Sequence, residues 1–182
     1  MTLGYISIGS NIDQEIHIPA CLLDLKKAFG AIRCSSLYES EAVGFAGASF
    51  HNLVAEFNSH LSAREVGKRL RQIELDHGRK SNSIKFSSRT LDLDLILYGD
   101  LITREGGLHL PRPEIEQYAF VLEPLAEIAG GSRHPVSGKT YAELWRAFDK
   151  SQTRQDKIPA NWKSNEQFAA TVHDQKLTGD IT

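Results

Sequence analysis

Leucine alternates with other residues between positions 90 and 97, where Thr90, Asp92, Asp94 and Ile96 take the intervening places. Leucine takes every second position in this stretch, at Leu91, Leu93, Leu95 and Leu97. A period of two is typical of a β-strand with one face against a core. The opposite face then carries Asp92 and Asp94 side by side, although aspartate is a poor strand residue. Two neighbouring carboxylates repel each other, so the pattern predicts a positively charged group beside them that offsets this repulsion.

The rest of the chain predicts a strand–helix–strand–strand–helix–strand order. The predicted elements are a strand over 3–8, a helix over 18–29 with Pro19 in its first turn, strands over 31–39 and 50–59, a helix over 62–78 and the strand over 91–98. The second helix begins with a capping box, Ser62-Ala63-Arg64-Glu65. This order predicts an α+β, ferredoxin-like βαββαβ sandwich, a mostly antiparallel sheet with helices packed on it.

A C-terminal extension follows this core. Short apolar segments at 101–103 and 108–110 suggest two further edge strands, and helices are expected over 119–129 and 141–148. We therefore expect one domain over 1–150. The polar residues 151–182 are expected to form a partly disordered tail, with Trp162 as one contact to the domain.

Composition excludes several classes of protein. The net charge of −2 does not draw the whole molecule to nucleic acid or to an anionic membrane. Two cysteines are too few for a disulfide scaffold, and no apolar run approaches the ~18 residues of a membrane span. We expect a cytoplasmic protein without nucleic-acid or membrane partners.

Basic residues gather just before the two aspartates. Arg79, Lys85 and Arg89 lie in or beside a serine-rich connection without periodicity. Carboxylates for a divalent cation next to guanidiniums for an anion suggest a Mg²⁺–polyphosphate site under a basic lid. A polar sheet face with an Arg89 salt bridge and a solvated loop is the other interpretation.

The strand over 50–59 places Phe50 and Asn52 on one face. An aromatic ring beside a carboxamide suits a flat polar heterocycle, because the ring stacks and the amide pairs with its edge. A solvent-facing strand with an exposed Phe50 is the alternative. Gly9, at the end of the first strand, begins a turn-like Gly-Ser-Asn and permits close approach of the backbone to a ligand. On this tripeptide alone, a plain turn glycine is the favoured interpretation.

Other common motifs fail. Gly138-Lys139-Thr140 is not a P-loop, because Arg133 stands where the first glycine is required and no strand precedes it. No G-x-G-x-x-G, G-x-S-x-G or paired-histidine helix motif occurs.

The chain resembles the 6-hydroxymethyl-7,8-dihydropterin pyrophosphokinases from about residue 3 to 148. The motifs that carry the resemblance are Gly9-Ser10-Asn11, Phe50-x-Asn52, Arg79, Arg89-Thr90-Leu91-Asp92-Leu93-Asp94 and Ala119-Phe120-Val121-Leu122-x-Pro124-Leu125. The resemblance implies transfer of pyrophosphate from ATP to the pterin hydroxymethyl group, with release of AMP, in folate biosynthesis. It also implies a monomer or weak dimer.

The resemblance implies a role for individual residues. Asp92 and Asp94 would hold two Mg²⁺ ions that bridge the ATP phosphates, and Arg79 and Arg89 would be catalytic. The residues implied in pterin binding are Gly9, Val43, Gly44, Phe50, Asn52 and Phe120. The residues implied in ATP binding are Arg71, Glu74, Lys85, Leu95 and Arg112.

The chain departs from the family pattern around the basic loop. The departures are Ser81 and Lys85 in place of arginine, Phe86 in place of tryptophan, Ser87-Ser88 in place of Gly-Pro, Arg112 in place of histidine and Tyr118 in place of arginine. A diverged paralogue, either non-catalytic or altered in substrate, is therefore the alternative function. An RNA-recognition module shares the βαββαβ order, but two aspartates on its central strand disfavour it.

Overall fold

The computed structural model describes residues 1–79, 87–151 and 154–161. Its strands are β1 Thr2–Ser10, β2 Ile32–Cys34, β3 Leu37–Ser40, β4 Phe50–Ser59, β5 Asp92–Tyr98 and β6 Gln155–Ile158. Its helices are α1 Gln14–Phe29, α2 Ala63–Asp76, α3 Glu114–Gln117, α4 Ala119–Ala129 and α5 Tyr141–Ala147. Every paired strand is antiparallel in the order β5-β1-β4-β3-β6, and β2 also pairs with β4. The predicted α+β architecture is confirmed.

Two hydrophobic layers lie on opposite faces of this sheet. Leu53 and Phe57 of β4 pack in one cluster with residues of α1 and α2, whereas Val54 packs in the other with residues of α3, α4 and α5. Strand β4 is therefore buried on both faces. The solvent-facing alternative for the Phe50 face is wrong at Val54, since α4 covers it.

A β-bulge interrupts the alternation of β5. Ile6 pairs with Leu95 and Tyr5 with Leu97, so Ile96 is an extra residue opposite β1. Both Ile96 and Leu97 consequently join the α4-side cluster, and Leu95 stays on the α1–α2 side. The prediction that all four leucines share one face fails at Leu97 for this reason.

Three local predictions need correction. Helix α1 begins at Gln14, so Pro19 lies inside the helix and not in its first turn. The strand predicted over 31–39 is divided into β2 and β3 near Ser35, whose hydroxyl accepts the Val54 N–H at 3.0 Å in place of a backbone carbonyl. The segments at 101–103 and 108–110 form only an isolated bridge between Thr103 and Leu110.

The capping box of α2 is confirmed: the Ser62 hydroxyl accepts the Glu65 N–H, and the Glu65 carboxylate accepts the Ser62 N–H at 2.8 Å. This pair fixes where α2 begins.

Strand β6 comes from the segment predicted to be a loose tail. It pairs with the outer edge of β3. Gln155 donates to the Ala119 carbonyl at 3.2 Å, and the Lys157 ammonium lies 3.3 Å from the Glu127 carboxylate. These long-range contacts order a polar segment that has no strand periodicity of its own. Trp162 lies outside the described residues.

No described helix combines the length and apolar character that a membrane span requires.

Candidate active site

A cleft of about 450 Å³ opens on the α4 side of the sheet. Its floor comes from β1, β4 and β5, and its walls come from the loop over 41–49 and the segment over 112–121. Most of the predicted site residues line it: Gly9, Val43, Phe50, Asn52, Arg79, Arg89, Asp92, Asp94, Arg112 and Phe120.

Asp92 and Asp94 project from β5 toward this cleft. Asp92 lies opposite Gly9 of β1, and Asp94 lies opposite Ser7. Both neighbours on β1 are small, so their side chains leave space above the carboxylates. The alternation of β5 thus places two carboxylates on a concave polar floor, as the sequence predicts.

Two arginines converge on Asp92. The guanidiniums of Arg79 and Arg89 lie 2.8 Å and 2.6 Å from the same oxygen, Asp92 Oδ1. Both side chains are largely buried, with 16% and 13% exposed. Shielded charge-assisted contacts of this kind are stronger than exposed surface pairs. Asp92 therefore does form a salt bridge with Arg89, but the pair lies inside a cleft and not on an open sheet face.

Asp94 is the less compensated carboxylate. Its Oδ1 lies 3.4 Å from Arg112 Nη2. Although 44% of the side chain is reached by solvent within the cleft, the surrounding protein removes much of the bulk water. This desolvation, followed by repulsion from Asp92, raises the pKa of Asp94 to about 6. Additional positive charge at this position would lower that pKa.

The carboxylate pair does not form a complete metal site by itself. Within the parts of the chain that are described, no group of three or more His, Cys, Asp and Glu side chains could hold a metal ion. Mg²⁺ commonly uses one or two carboxylates and takes its remaining ligands from substrate phosphates and water. The donor set of Asp92 and Asp94 suits that type of site.

Glu74 supports the arginines from behind. Its carboxylate accepts the Leu93 N–H at 2.8 Å and pairs with Arg71 at 3.1 Å and with Arg79. It is 3% exposed, and burial raises its pKa despite these partners. Glu74 therefore ties α2 to β5 and directs Arg79 toward Asp92, and its side chain is not part of the cleft wall.

The end of β1 positions the start of β5. Ser10 donates its hydroxyl proton to the Thr90 carbonyl at 2.6 Å, and the N–H groups of Asn11 and Ile12 both donate to the Arg89 carbonyl. Gly9 and Ser10 belong to β1 and not to a turn. The hydrogen bonds from the Gly-Ser-Asn stretch and Ile12 therefore fix the backbone of residues 89–90.

The far end of the cleft combines an amide with aromatic rings. Asn52 is 4% exposed and donates to the Ser40 hydroxyl at 2.9 Å. Phe120 stacks on Tyr118 with ring centroids 5.0 Å apart, and both line the cleft with Phe50. These groups offer a flat apolar surface beside a fixed carboxamide, as predicted for a heterocycle.

Besides Glu74, four predicted site residues lie away from the cleft or outside the described residues. The Leu95 side chain is buried in the core on the opposite face of β5 from Asp94. Arg71 contacts Glu74, and Gly44, with a φ of 80°, lies in the loop behind Val43. Lys85 falls outside the described residues, as do Ser81 and Phe86.

Several lining residues were not predicted to bind a ligand. They are Ser7, Ser40, Glu41, Phe45, Ser87, Ile96, Glu114, Gln117, Tyr118 and Val121. Among these residues, Ser7 could have been foreseen, because it lies opposite Asp94 once β1 and β5 are paired antiparallel. Glu114 reaches the cleft only because the chain turns back at Pro111 along the outer edge of β5, where the Arg112 N–H donates to the Ile96 carbonyl at 3.0 Å.

Comparisons with known proteins agree on one family. The model of the family described as 7,8-dihydro-6-hydroxymethylpterin-pyrophosphokinase (HPPK) matches residues 5–130. Two similar proteins bear the name 2-amino-4-hydroxy-6-hydroxymethyldihydropteridine pyrophosphokinase. The one from Aquifex aeolicus is 31% identical over 146 residues, covering 79% of this chain and 91% of its own. The one from Synechocystis sp. is 36% identical over 147 residues, covering 79% of this chain and 75% of its own.

A solved structure of similar fold is described as HPPK-DHPS in complex with substrates. It superposes with a TM-score of 0.65 at 10% identity over 80% of this chain. The present chain spans only 43% of that longer chain, so this likeness concerns the fold of one part of it.

Proposed function

The chain belongs to the 7,8-dihydro-6-hydroxymethylpterin-pyrophosphokinase family, and from this membership we infer its reaction. It transfers pyrophosphate from ATP to the hydroxymethyl group of 6-hydroxymethyl-7,8-dihydropterin, giving AMP, in folate biosynthesis. The observation that carries the proposal is the pairing of Asp92 and Asp94 with arginines on the floor of a cleft whose far end is aromatic.

The chemistry requires an attack on the middle phosphate of ATP. The pterin hydroxyl oxygen forms a bond to the β-phosphorus while the bond from that phosphorus to the α-phosphate oxygen breaks. AMP leaves, and the hydroxyl proton is released. Such transfers depend on positioning and charge neutralisation more than on covalent catalysis, and the cleft offers groups for both.

Asp92 and Asp94 are proposed to hold two Mg²⁺ ions. The residues fit this role because hard carboxylate oxygens share one face. Desolvation and repulsion from Asp92 raise the pKa of Asp94, and a bound cation would offset both effects. When bound, Mg²⁺ would neutralise negative charge on the ATP phosphates.

Arg79 and Arg89 are proposed as the catalytic arginines. Both guanidiniums contact Asp92, so a phosphate group bound near that carboxylate would lie within their reach. Arginine suits the task because its planar fork donates to two phosphate oxygens at once and stays charged. Glu74 already restrains the Arg79 side chain through an ion pair, so the guanidinium loses little conformational entropy when a phosphate binds.

Further roles divide the cleft between the two substrates. Gly9, Val43, Gly44, Phe50, Asn52 and Phe120 are proposed to bind the pterin. Arg71, Glu74, Lys85, Leu95 and Arg112 are proposed for ATP, with Leu95 restricted to its main chain because its side chain is in the core.

Residues 1–150 are proposed as the enzyme domain, and the tail over 151–182 contributes β6 to its sheet. A monomer or weak dimer is proposed as its state. The chain has only two cysteines, too few for a disulfide scaffold, and a cytoplasmic location is proposed for it.

The decisive experiment is a coupled assay for AMP. With Mg²⁺, ATP and 6-hydroxymethyl-7,8-dihydropterin together, AMP should form in equal amount to the pterin consumed. Omitting either the pterin or Mg²⁺ should stop it. Absence of AMP with all three present would reject catalysis, and calorimetric binding of the pterin under those conditions would select the non-catalytic paralogue.

A further inference from the structure

Arg112 is shared between two carboxylates in the cleft. Its Nη2 lies 3.4 Å from Asp94 Oδ1 and 3.0 Å from Glu114 Oε1. All three residues line the cleft, and the Arg112 and Glu114 side chains are 29% and 25% exposed. One nitrogen therefore serves two acceptors that belong to different segments of the chain.

The backbone around Arg112 is fixed. Its N–H donates to the Ile96 carbonyl of β5, and its carbonyl accepts the Ile115 N–H at 3.2 Å. Pro111 and Pro113 flank it, and each proline restricts its own φ to about −65°. The position of the guanidinium thus depends on its side-chain partners, since the main chain has little freedom.

Two buried atoms of this group have no hydrogen-bond partner within the described part of the chain. They are Arg112 Nε and Glu114 Oε2. A two-armed arginine–carboxylate pair joins Nε and one terminal nitrogen to the two carboxylate oxygens. The present pair has formed only the Nη2–Oε1 arm, and the atoms of the second arm are the unpartnered ones.

We propose that Glu114 is a positioning residue that retains Arg112 in the cleft when Asp94 binds a cation. This inference rests on the proposed function. A divalent cation on Asp94 offsets the negative charge that attracts Arg112. The cation also repels the guanidinium directly. Glu114 then becomes the remaining anionic partner, and closure of the second arm compensates for the weakened ion pair between Arg112 and Asp94. Arg112 keeps Nη1 available for the polyphosphate of ATP.

The test measures binding without turnover. An ATP analogue with a methylene group between its α- and β-phosphates is titrated calorimetrically with Mg²⁺ into wild type, Glu114→Gln, Arg112→Gln and the double variant. Glutamine keeps the size of Glu114 and removes its charge. Glu116→Gln, at an exposed position of the same short helix, is the matched control. Thermal melting verifies that each variant is folded.

Glu114→Gln and Arg112→Gln should each weaken binding by about tenfold, a change typical of one charge-assisted contact. The double variant should be no weaker than Arg112→Gln alone, because Glu114 acts through Arg112. The control should bind as wild type does. Wild-type affinity in Glu114→Gln, or a further tenfold weakening in the double variant, would overturn the inference and leave the proposed function standing. Failure of wild type to bind the analogue would overturn both.

Discussion

The side-chain oxygen of Asn11 accepts a hydrogen bond from the main-chain N–H of Arg89 at 2.7 Å. The same side chain donates its amide N–H to the Ala48 carbonyl at 3.1 Å. One buried residue at the end of β1 thus holds both the loop that forms one wall of the cleft and the arginine that contacts Asp92.

Replacing Asn11 by alanine should reduce both stability and activity. The N–H of Arg89 and the carbonyl of Ala48 would no longer have this partner, at a cost of about 1–3 kcal/mol in the free energy of unfolding. Because Arg89 is then less well fixed, kcat/KM should fall by about tenfold or more. Chemical denaturation and the AMP assay measure the two effects. Asn58→Ala, at an exposed position of β4, should change neither.

Asp94→Asn should abolish turnover while leaving the fold intact. The amide keeps the shape of the side chain but removes the charge proposed to bind Mg²⁺, so kcat should fall by about a thousandfold, equivalent to several kcal/mol of charge stabilisation. Unfolding free energy should change by less than about 1 kcal/mol, because the contact with Arg112 is long, at 3.4 Å, and solvent in the cleft reaches part of the Asp94 side chain. Asp100→Asn, in the exposed turn after β5, is the control. Near wild-type turnover in Asp94→Asn would refute the metal role.

Gly9→Ala should weaken pterin binding selectively. A Cβ at this position would lie 3.1 Å from Asn52 Oδ1 and 3.7 Å from the Phe50 ring. The amide would have to shift by a few tenths of an ångström, so the affinity for the pterin should fall by about tenfold while that for the ATP analogue is kept. Gly131→Ala, which meets nothing within 4 Å, should leave both affinities unchanged. Equal weakening of both ligands would contradict the proposed division of the cleft.

Glu56 should make stability depend on pH. It accepts two hydrogen bonds from Arg33, at 3.0 Å and 2.6 Å, and one from the Tyr5 hydroxyl at 2.8 Å. The hydrogen bond from Arg33 is the main reason that its pKa lies below the usual 4.5. A lowered carboxyl pKa stabilises the fold above pH 4.5, and the stabilisation is lost as pH falls through the folded value.

Glu56→Gln should therefore lower the free energy of unfolding by about 1–2 kcal/mol at pH 7, and the difference from wild type should shrink toward pH 3. Urea denaturation at both pH values measures this. Glu105→Gln, in an exposed turn, should show no difference at either pH. A deficit that stays constant with pH would show that charge is not the cause.

Local patterns were sufficient to predict most of the fold. The period of two over the first four residues of β5, the capping box of α2 and the length of β4 are each properties of a few consecutive residues, and all three are confirmed. The two aspartates reach a common cleft because alternation alone determines the face they occupy.

The errors occur where distant residues decide the structure. Leu97 changes face because β1 imposes a bulge, and β6 forms because β3 offers an unpaired edge. Glu114 reaches the cleft through a turn that a hydrogen bond to the distant Ile96 carbonyl helps to fix. No periodicity within those segments contains this information.

Strand β6 also determines whether the molecule stays separate from its copies. It occupies the outer N–H and C=O groups of Leu37–Ser40. A chain cut after Lys150 would present that row to solvent, and an open row of this kind recruits strands from other molecules. The four residues of β6, three of them polar, thus cover this edge and oppose aggregation. Their removal should appear as concentration-dependent light scattering even where the enzyme chemistry is intact.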